Sequence, residues 1–350
     1  MLKYYKKLFA LKTAPLLVAL GIHKILKPVY GGKGHVIMLH RVLPRDSRKR
    51  IHNHLSLEVT PDHLEEIIRY FIKEKYHLIS IEKVESYLNK NQKFVVFTLD
   101  DGYADNLHHA YPVFKKYNCP FTIYLCNDFA NRKVFLWWYL LEELLLKERF
   151  LKIKTSSFKV EEKVGTLLKK EKVFYRIRDA INLGKLEPEA FKEVLTQYGI
   201  NWQEHINKYA LSWNDVLELN KDQLVTIGAH TVSHRALKVL SDQEANEEMT
   251  NSKKEIEEKL GQTTKHFAYP FGSSEEVSVR DIRIAQKVGF ETVTTTQLGN
   301  IFTDHRANLH SLPRITVNAQ TSKCVLKLQL AGFYGMLENK FKRVRVGVWS

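Results

Sequence analysis

Short apolar runs alternate with longer stretches of helical pattern along this 350-residue chain, and this alternation constrains its fold more than any other feature. Buried strands of parallel sheets are typically such runs, and the helices between them return the chain to the same edge of the sheet. Runs of this kind lie at residues 35–39, 78–81, 94–99, 121–125, 225–229, 266–269, 292–295 and 312–317. We therefore predict an α/β fold, a distorted (β/α) TIM-like barrel, with a doubly wound open sheet as the alternative.

Residues 132–222 interrupt this alternation and are predicted to form a helical insertion. They contain several helical patterns rich in Lys and Glu, and no run among them is typical of a strand. Trp137 and Trp138 either anchor the insertion or offer a sugar a stacking platform, and anchoring is the simpler interpretation. The predicted parts are a basic amphipathic segment (1–32), two parts of the barrel (33–131 and 223–320) around the helical insertion (132–222), and a basic C-terminal segment (321–350).

Composition excludes several classes of protein. Hydrophobic residues make up 44% of the chain, so a disordered or fibrous protein is excluded. The three cysteines cannot all pair, and Cys119 and Cys126 flank an apolar run, which indicates buried thiols in a reducing compartment. The net charge of +15 is carried mainly by residues 1–50 and 323–350. Basic ends on a nearly neutral body favour an anionic partner, either membrane lipid or nucleic acid.

The N-terminal segment favours lipid over nucleic acid. Residues 1–27 interleave Leu, Ile, Phe and Tyr with Lys, which is typical of a helix lying in a membrane interface. A spanning helix needs about 20 apolar residues, more than any uncharged stretch here provides. The small-x-small triplet Ala19-Leu20-Gly21 lies inside the apolar run, which disfavours signal-peptide cleavage. We therefore expect a cytoplasmic protein that is peripheral on the inner face of the cytoplasmic membrane; a basic helix packed on the body is the alternative.

Two motifs at strand ends carry side chains suited to catalysis. Asp100 and Asp101 end an apolar run, and adjacent side chains there point in different directions, so one carboxylate can bind a metal while the other handles protons. An aspartate N-cap in a strand-to-helix turn is the alternative. Another run ends at His230, with His234 four residues later. A helical turn there would place both imidazoles on one face, at a spacing that suits a divalent cation.

A third apolar run ends in a turn formed by Pro270, Phe271 and Gly272. A backbone N–H in such a turn can donate to an oxyanion without needing a specific side chain. Because the carboxyl ends of barrel strands meet at one rim, we expect all three motifs at a common site.

Taken in order, the segments TLDDGY, GAHTVSH and FAYPFG resemble the polysaccharide deacetylase family. These are metal-dependent carbohydrate esterases that remove N-acetyl groups from amino sugars. The resemblance covers roughly residues 33–130 and 222–318, and it includes MLHRV on the first strand and LPRI near the end. It implies a distorted (β/α) barrel and one bound divalent metal, most often Zn²⁺.

The resemblance also implies roles for individual residues. Asp101, His230 and His234 would hold the metal, and Asp100 would be the general base. The backbone N–H of Phe271, which follows Pro270, would stabilise the oxyanion.

A general acid must protonate the leaving amine. The family often supplies a histidine from a late strand for this role. His310 is the candidate here, and His305 and His40 compete with it.

The family's arginine at the start of the third motif is absent, because His266 stands there. Arg314 or Arg41 is expected to orient Asp100 in its place. Arg314 is also a candidate for contacting the oxyanion or substrate.

The expected function is a metal-dependent hydrolase that removes an N-acetyl group from an amino sugar of a cell-surface or lipid-linked glycan. An anionic membrane surface is an expected partner, and nucleic acid is not, because no zinc-finger, RNP or helix-turn-helix signature is present. The alternative is a catalytically inactive glycan-binding or scaffold protein that retains the barrel. The presence of Asp100 and all three implied ligands favours the enzyme, whereas the missing arginine favours the alternative.

Overall fold

A computed structural model describes residues 12–45, 50–51, 54–182 and 184–343 of the chain. The strands are β1 (Gly34–Leu39), β2 (Arg41–Val42), β3 (Glu58–Val59), β4 (His77–Leu78), β5 (Phe94–Asp101), β6 (Phe121–Leu125), β7 (Phe150–Lys154), β8 (Lys159–Lys163), β9 (Val225–Ala229), β10 (His266–Ala268), β11 (Thr292–Leu298) and β12 (Leu312–Thr316). A helical stretch at residues 12–19 precedes the first complete helix.

The helices are α1 (Ile22–Tyr30), α2 (Pro61–Lys73), α3 (Val84–Leu88), α4 (Tyr111–Lys116), α5 (Asn127–Ala130), α6 (Trp137–Lys147), α7 (Leu167–Asn182), α8 (Pro188–Gln197), α9 (Trp202–Tyr209), α10 (Trp213–Leu219), α11 (Asp242–Leu260), α12 (Val279–Val288), α13 (Lys323–Leu330) and α14 (Phe333–Glu338). Short 3₁₀ or π turns link several of them.

Seven parallel strands close into a barrel in the order β1, β12, β11, β10, β9, β6 and β5, and β5 pairs back with β1. The short β4 joins the first residues of β5 from outside this ring. The predicted barrel is therefore confirmed, and each predicted run contributes a strand. The open-sheet alternative is wrong, because β1 pairs with both β12 and β5 and leaves no edge between them.

The strands are parallel and covered on both faces, which explains their continuous apolar sequences. Every residue of β5 is buried, and Phe114 of α4 stacks on Phe121 of β6 with ring centroids 4.4 Å apart. The surrounding helices start and stop at clear signals: Ser241 and Glu244 form a capping box before α11, and Gly261 ends it in the left-handed conformation. These local signals fix where each helix returns the chain to the barrel.

The chain between β6 and β9 forms a separate layer with its own apolar core. Besides six helices, α5 to α10, it contains an antiparallel hairpin of β7 and β8, so the prediction of no strand within 132–222 is wrong. Leu151 and Ile153 of β7 point inward while lysines alternate outward. This two-residue period was hidden by the high Lys and Glu content. Trp137 stacks on Phe174 inside this layer, so it packs the insertion together.

The chain ends pack together at the side and amino-terminal end of the barrel. Ala14 in the first helical stretch is buried against Val325 and Leu328 of α13. Residues 1–11 of the predicted amphipathic segment lie outside the described residues. In the part of the chain that is described, no helix combines the length and apolar character needed to cross a bilayer.

Candidate active site

The sequence motifs meet at the carboxyl ends of adjoining barrel strands. Asp100 and Asp101 end β5, His230 directly follows β9, and Phe271 lies just beyond β10. His40 directly follows β1, whose last residue pairs with Leu99 of β5. The closed barrel brings these segments to one rim, as expected for parallel strands.

Asp101, His230 and His234 form a compact cluster of possible metal ligands. One ligand atom from each residue lies within 4.8 Å of the other two. The Nε2 atoms of His230 and His234 are 3.4 and 3.1 Å from Oδ1 of Asp101. This arrangement agrees with the metal-ligand set implied by the resemblance.

The hydrogen bonding of His230 fits a bound cation. Its Nδ1 lies 2.7 Å from the carbonyl oxygen of Ala268, so Nδ1 carries the proton and Nε2 presents a lone pair. That lone pair faces the buried Asp101 carboxylate, which also carries only acceptors. Two acceptors held against each other in a buried site require a proton or a cation between them. Two imidazoles and one carboxylate are a donor set typical of zinc with open positions.

A loop, and not a helical turn, brings the two imidazoles together. Residues 230–236 are not helical, and Thr231 and His234 both have positive φ angles, of 64° and 58°. The helical turn considered from the sequence does not form here, and the loop places both imidazoles beside Oδ1 of Asp101. Glu248 of α11 accepts hydrogen bonds from the backbone of Val232 and Ser233 and thereby holds this strained loop in place.

Asp101 also has a left-handed backbone, with φ 78°, and Gly102 follows at φ 98°. A Cβ on Gly102 would lie 2.5 Å from Cδ1 of Leu125, so only glycine fits this turn. In an ordinary strand neighbouring side chains point to opposite faces. The left-handed turn brings both carboxylates to the same rim. Both of them raise the pKa of His40 there.

Arg314 orients Asp100 through a buried bidentate ion pair. Its Nη1 and Nη2 atoms each lie 2.7 Å from a carboxylate oxygen of Asp100, and its Nε donates to the carbonyl of Thr295. Burial by itself raises the pKa of the Asp100 carboxyl, but Arg314 opposes it and the net pKa lies below the ordinary value. Asp100 is thus held ionised, as a proton acceptor must be.

The expectation that Arg314 replaces the missing family arginine agrees with this geometry. A direct contact of Arg314 with substrate does not, because its side chain is fully buried beneath Asp100. Arg41, the other candidate, pairs with Asp105 instead, and its guanidinium lies 4.8 Å from the ring centroids of Tyr103, Tyr139 and Tyr209.

Phe271 lies in the turn beyond β10 with a positive φ angle of 59°. Its ring is 55% exposed and lies 4.9 Å from the ring of His234. Within the described ranges its backbone N–H has no hydrogen-bond acceptor, whereas the next N–H, of Gly272, donates to the carbonyl of Pro270. The Phe271 N–H therefore remains available to an oxyanion beside the ligand cluster.

His40 is the additional histidine at the rim. Burial lowers the pKa of His40, and the carboxylates of Asp101 and Asp100 partly oppose this effect. Its side chain is partly exposed, and its backbone carbonyl accepts a hydrogen bond from Asn106. His40 is therefore an electrostatic neighbour of both carboxylates at the rim.

His310 does not lie at this site, which corrects its prediction as the general acid. It precedes β12, and its Nε2 lies 2.8 Å from the carbonyl oxygen of Phe290, which precedes β11. Both positions are at the amino-terminal ends of the strands, opposite the rim. His305 is buried in a 3₁₀ turn on the same side and is excluded for the same reason.

The order of the strands contained a signal that favoured His40 over His310. A histidine directly after a strand lies at the carboxyl rim, whereas one directly before a strand lies at the other end. Glu248 had no such signal, because it acts on a loop that is remote in sequence.

Replacing Arg314 with methionine leaves a buried carboxylate without its counter-ion. We expect the free energy of unfolding at pH 7 to fall by about 3–5 kcal/mol in urea titrations. Adding Asp100→Leu should recover part of the loss, and Arg306→Met, at an exposed arginine, should change little.

The stability difference between wild type and the Arg314→Met/Asp100→Leu variant should also depend on pH. Because the folded-state pKa of Asp100 is lowered, its contribution is complete above an ordinary aspartate pKa of about 3.9 and is lost as pH falls through the lower folded value. A double variant no more stable than Arg314→Met at pH 7 would contradict the ion-pair interpretation.

Metal binding tests the ligand cluster directly. After equal reconstitution with Zn²⁺ and desalting, elemental analysis should find about one equivalent per wild-type chain and little in the His230→Ala/His234→Ala variant. The His108→Ala/His109→Ala variant removes two histidines that do not belong to the cluster and should retain the wild-type content. Equal metal content in all three proteins would exclude the cluster as the binding site.

Comparison with known proteins agrees with this fold. A family model for polysaccharide deacetylase matches residues 88–171 and 186–293. A Bacillus subtilis (strain 168) protein named "Putative polysaccharide deacetylase YxkH" is 22% identical over 267 residues, covering 75% of this chain and 67% of that protein.

Two solved structures show the same fold. The Streptococcus pyogenes deacetylase PplD, in complex with acetate, is 19% identical with a TM-score of 0.55, covering 85% of this chain and 97% of its own. IcaB from Ammonifex degensii is 18% identical with a TM-score of 0.54, covering 87% of this chain and 98% of its own. Because the family model spans more than half of its residues, the chain belongs to the polysaccharide deacetylase family.

Proposed function

We propose that this protein is a metal-dependent N-deacetylase that hydrolyses the acetamide of an amino sugar in a lipid-linked or cell-surface glycan. The observation that carries the proposal is the convergence on one rim of a three-residue ligand cluster, an ionised carboxylate and a partly exposed imidazole. Each of these groups has a distinct task in the hydrolysis of an amide.

Asp101, His230 and His234 would hold the metal, and we expect zinc for this donor set. A divalent cation held there would acidify a water molecule and polarise the acetyl carbonyl. The buried hydrogen bond from His230 to the Ala268 carbonyl fixes the imidazole with Nε2 toward Asp101.

Asp100 takes the proton of the attacking water in this proposal. Arg314 accepts no proton itself, but its two hydrogen bonds fix the carboxylate and keep it ionised. The Phe271 N–H, which has no acceptor within the described part of the chain, then donates to the oxyanion that forms on the acetyl carbonyl.

In its imidazolium form, which the carboxylates of Asp101 and Asp100 favour, His40 delivers a proton to the departing sugar nitrogen. The amine is a poor leaving group unless it is protonated, so the site needs a proton donor as well as a base. His40 follows β1, which pairs with β5, so it lies beside Asp100, whereas the metal-ligand histidines follow β9.

The exposed ring of Phe271 supports a sugar substrate, since an apolar ring beside the ligand cluster can cover a pyranose face or the acetyl methyl group. The alternative of an inactive glycan-binding protein is less well supported. That alternative was favoured by the missing family arginine. Arg314, from another strand, supplies a guanidinium to Asp100 in its place.

We also propose that the protein acts at the inner face of the cytoplasmic membrane as a peripheral protein. The unpaired cysteines Cys119 and Cys126, both buried, support a reducing compartment. The basic chain ends support an anionic lipid partner.

The proposed reaction is tested by acetate release from soluble N-acetylglucosamine oligosaccharides after zinc reconstitution. The isosteric Asp100→Asn variant should lose about 10²–10⁴-fold in rate while it retains wild-type metal content. If the wild-type protein binds these oligosaccharides with its metal in place and releases no acetate, the inactive glycan-binding alternative replaces the proposal.

The role of His40 is tested by comparing leaving groups. His40→Gln should slow acetamide hydrolysis by about 10²–10⁴-fold, because the amine must be protonated, but it should slow hydrolysis of 4-nitrophenyl acetate far less. His310→Gln, at the opposite end of the barrel, should leave both rates unchanged. Equal losses on the two substrates after His40→Gln would instead indicate a structural role.

A further inference from the structure

The two chain ends share a surface that exposes large apolar side chains. Ile25 and Val29 lie one turn apart on α1 and are 69% and 47% exposed. Leu337 lies in the last turn of α14 and Phe341 just beyond it, and they are 48% and 67% exposed. Arg343 donates to the carbonyl of Val29, and the Tyr30 hydroxyl donates to that of Phe341, so the two pairs are neighbours. We call the surface of these four apolar residues the terminal face.

The helical stretch before α1 extends this apolar character. Leu16 and Leu20 lie one turn apart and are both exposed, whereas Ala14 on the other side of the stretch is buried against α13. An aliphatic row that faces water on a helix whose other side is packed is typical of a surface that meets an apolar partner.

Basic residues outnumber acidic ones around the terminal face. Residues 12–33 contain no Asp or Glu, and Glu338 lies beside Leu337. Lys24, Lys327 and Lys340 form no ion pair within the described ranges. A partner that is both apolar and negatively charged matches this surface.

An anionic lipid surface has both properties. Two copies of this chain would repel each other through such a face, and nucleic acid offers no place for exposed Leu, Ile and Phe side chains. Residues 1–11 and 344–350, which lie outside the described ranges, have a similar composition, with lysine or arginine beside Leu, Val, Tyr and Trp. Each Lys or Arg near an anionic membrane contributes roughly 1 kcal/mol of binding free energy.

The terminal face and the active site lie at opposite ends of the barrel. The α1 helix ends three residues before β1 begins, and Lys33 donates to the carbonyls of Leu88 and Lys90, which precede β5. These positions define the amino-terminal end, whereas Asp101 and His230 lie at the carboxyl rim. Strand β5 has 8 residues. At about 3.3 Å per residue and a tilt of about 36°, a strand of that length spans a height of roughly 20 Å.

We propose that the terminal face binds an anionic bilayer and holds the catalytic rim away from it. The consequence for the substrate rests on the proposed function. Because the rim faces away from the bilayer, the acetylated sugar belongs to a glycan that extends roughly 20 Å or more from its lipid. A sugar attached directly to a lipid headgroup would lie on the wrong side of the barrel.

Lipid binding is tested by sedimentation of the full chain with phosphatidylglycerol/phosphatidylcholine vesicles and with pure phosphatidylcholine vesicles. The wild-type protein should bind only the anionic vesicles, and Ile25→Glu/Phe341→Glu should weaken binding about tenfold or more. The matched control Leu168→Glu/Val239→Glu adds the same charge at equally exposed apolar sites elsewhere and should bind almost as wild type.

Circular dichroism and metal content should show that both variants are folded. Equal binding by the two double variants, or no binding of the wild-type protein to anionic vesicles, would contradict the assignment of the terminal face as the lipid-binding surface. So would a wild-type dimer that the terminal-face variant alone dissociates in sedimentation velocity, because a second copy would then be the occupant.

The orientation is tested with a fluorophore on single cysteines introduced by Lys340→Cys or Val239→Cys, in a chain with Cys324→Ser. Nitroxide-labelled lipids should quench the probe at residue 340 and leave the probe at residue 239 unaffected. Residue 239 lies beyond β9 on the catalytic side. Quenching at residue 239 would overturn the orientation.

The consequence for substrate is measured on vesicles that carry N-acetylglucosamine either directly on the lipid or on a spacer of about 30 Å. The spacer-borne sugar should be deacetylated severalfold faster, and equal rates would overturn the proposed reach. If the protein hydrolyses soluble oligosaccharides but does not bind vesicles, only the proposed lipid-binding surface is refuted. Vesicle binding without hydrolysis of any N-acetylated sugar refutes only the proposed function.

Discussion

The pairing of β1 with β5 closes the barrel, and the site depends on this closure. The strands pair from Gly34 with Phe94 to Leu39 with Leu99, so the chain emerges from β1 directly beside the two aspartates. Because β12 pairs with the other edge of β1, Arg314 can reach across to Asp100. An open sheet would separate the first and last of these strands and leave the carboxylate without its guanidinium.

The interior of the rim concentrates charge that a protein core otherwise avoids. Asp100 is neutralised by Arg314, and Asp101 faces His230 and His234, so each buried carboxylate has its own cationic or cation-binding partner. This division gives two adjacent carboxylates different electrostatic environments. The left-handed conformations at Asp101 and His234 add backbone strain that the surrounding packing must hold.

The remaining parts of the chain organise the two ends of the barrel. Arg41 packs among Tyr103 from the barrel and Tyr139 and Tyr209 from the insertion, which ties that layer to the catalytic end. The first and last described segments meet at the opposite end, where the Tyr30 hydroxyl donates a hydrogen bond to the carbonyl of Phe341. The ligand cluster and the contact between these segments are thus separated along the barrel axis.

The sequence by itself determined the strands of the barrel and placed Asp100, Asp101, His230 and His234 at strand ends, because apolar runs and strand-terminal motifs are local in the chain; the pairing of β1 with β5 then decided between a barrel and an open sheet. Only the tertiary structure decided which arginine serves Asp100, and it placed His40, not His310, at the rim. The contact of Arg314 with Asp100 spans 214 residues, and the choice of His40 over His310 depends on which end of a strand faces the site. The choice of arginine depends on barrel closure, which no local pattern carries, whereas the place of a histidine directly after or directly before a strand was a local signal for the choice of His40.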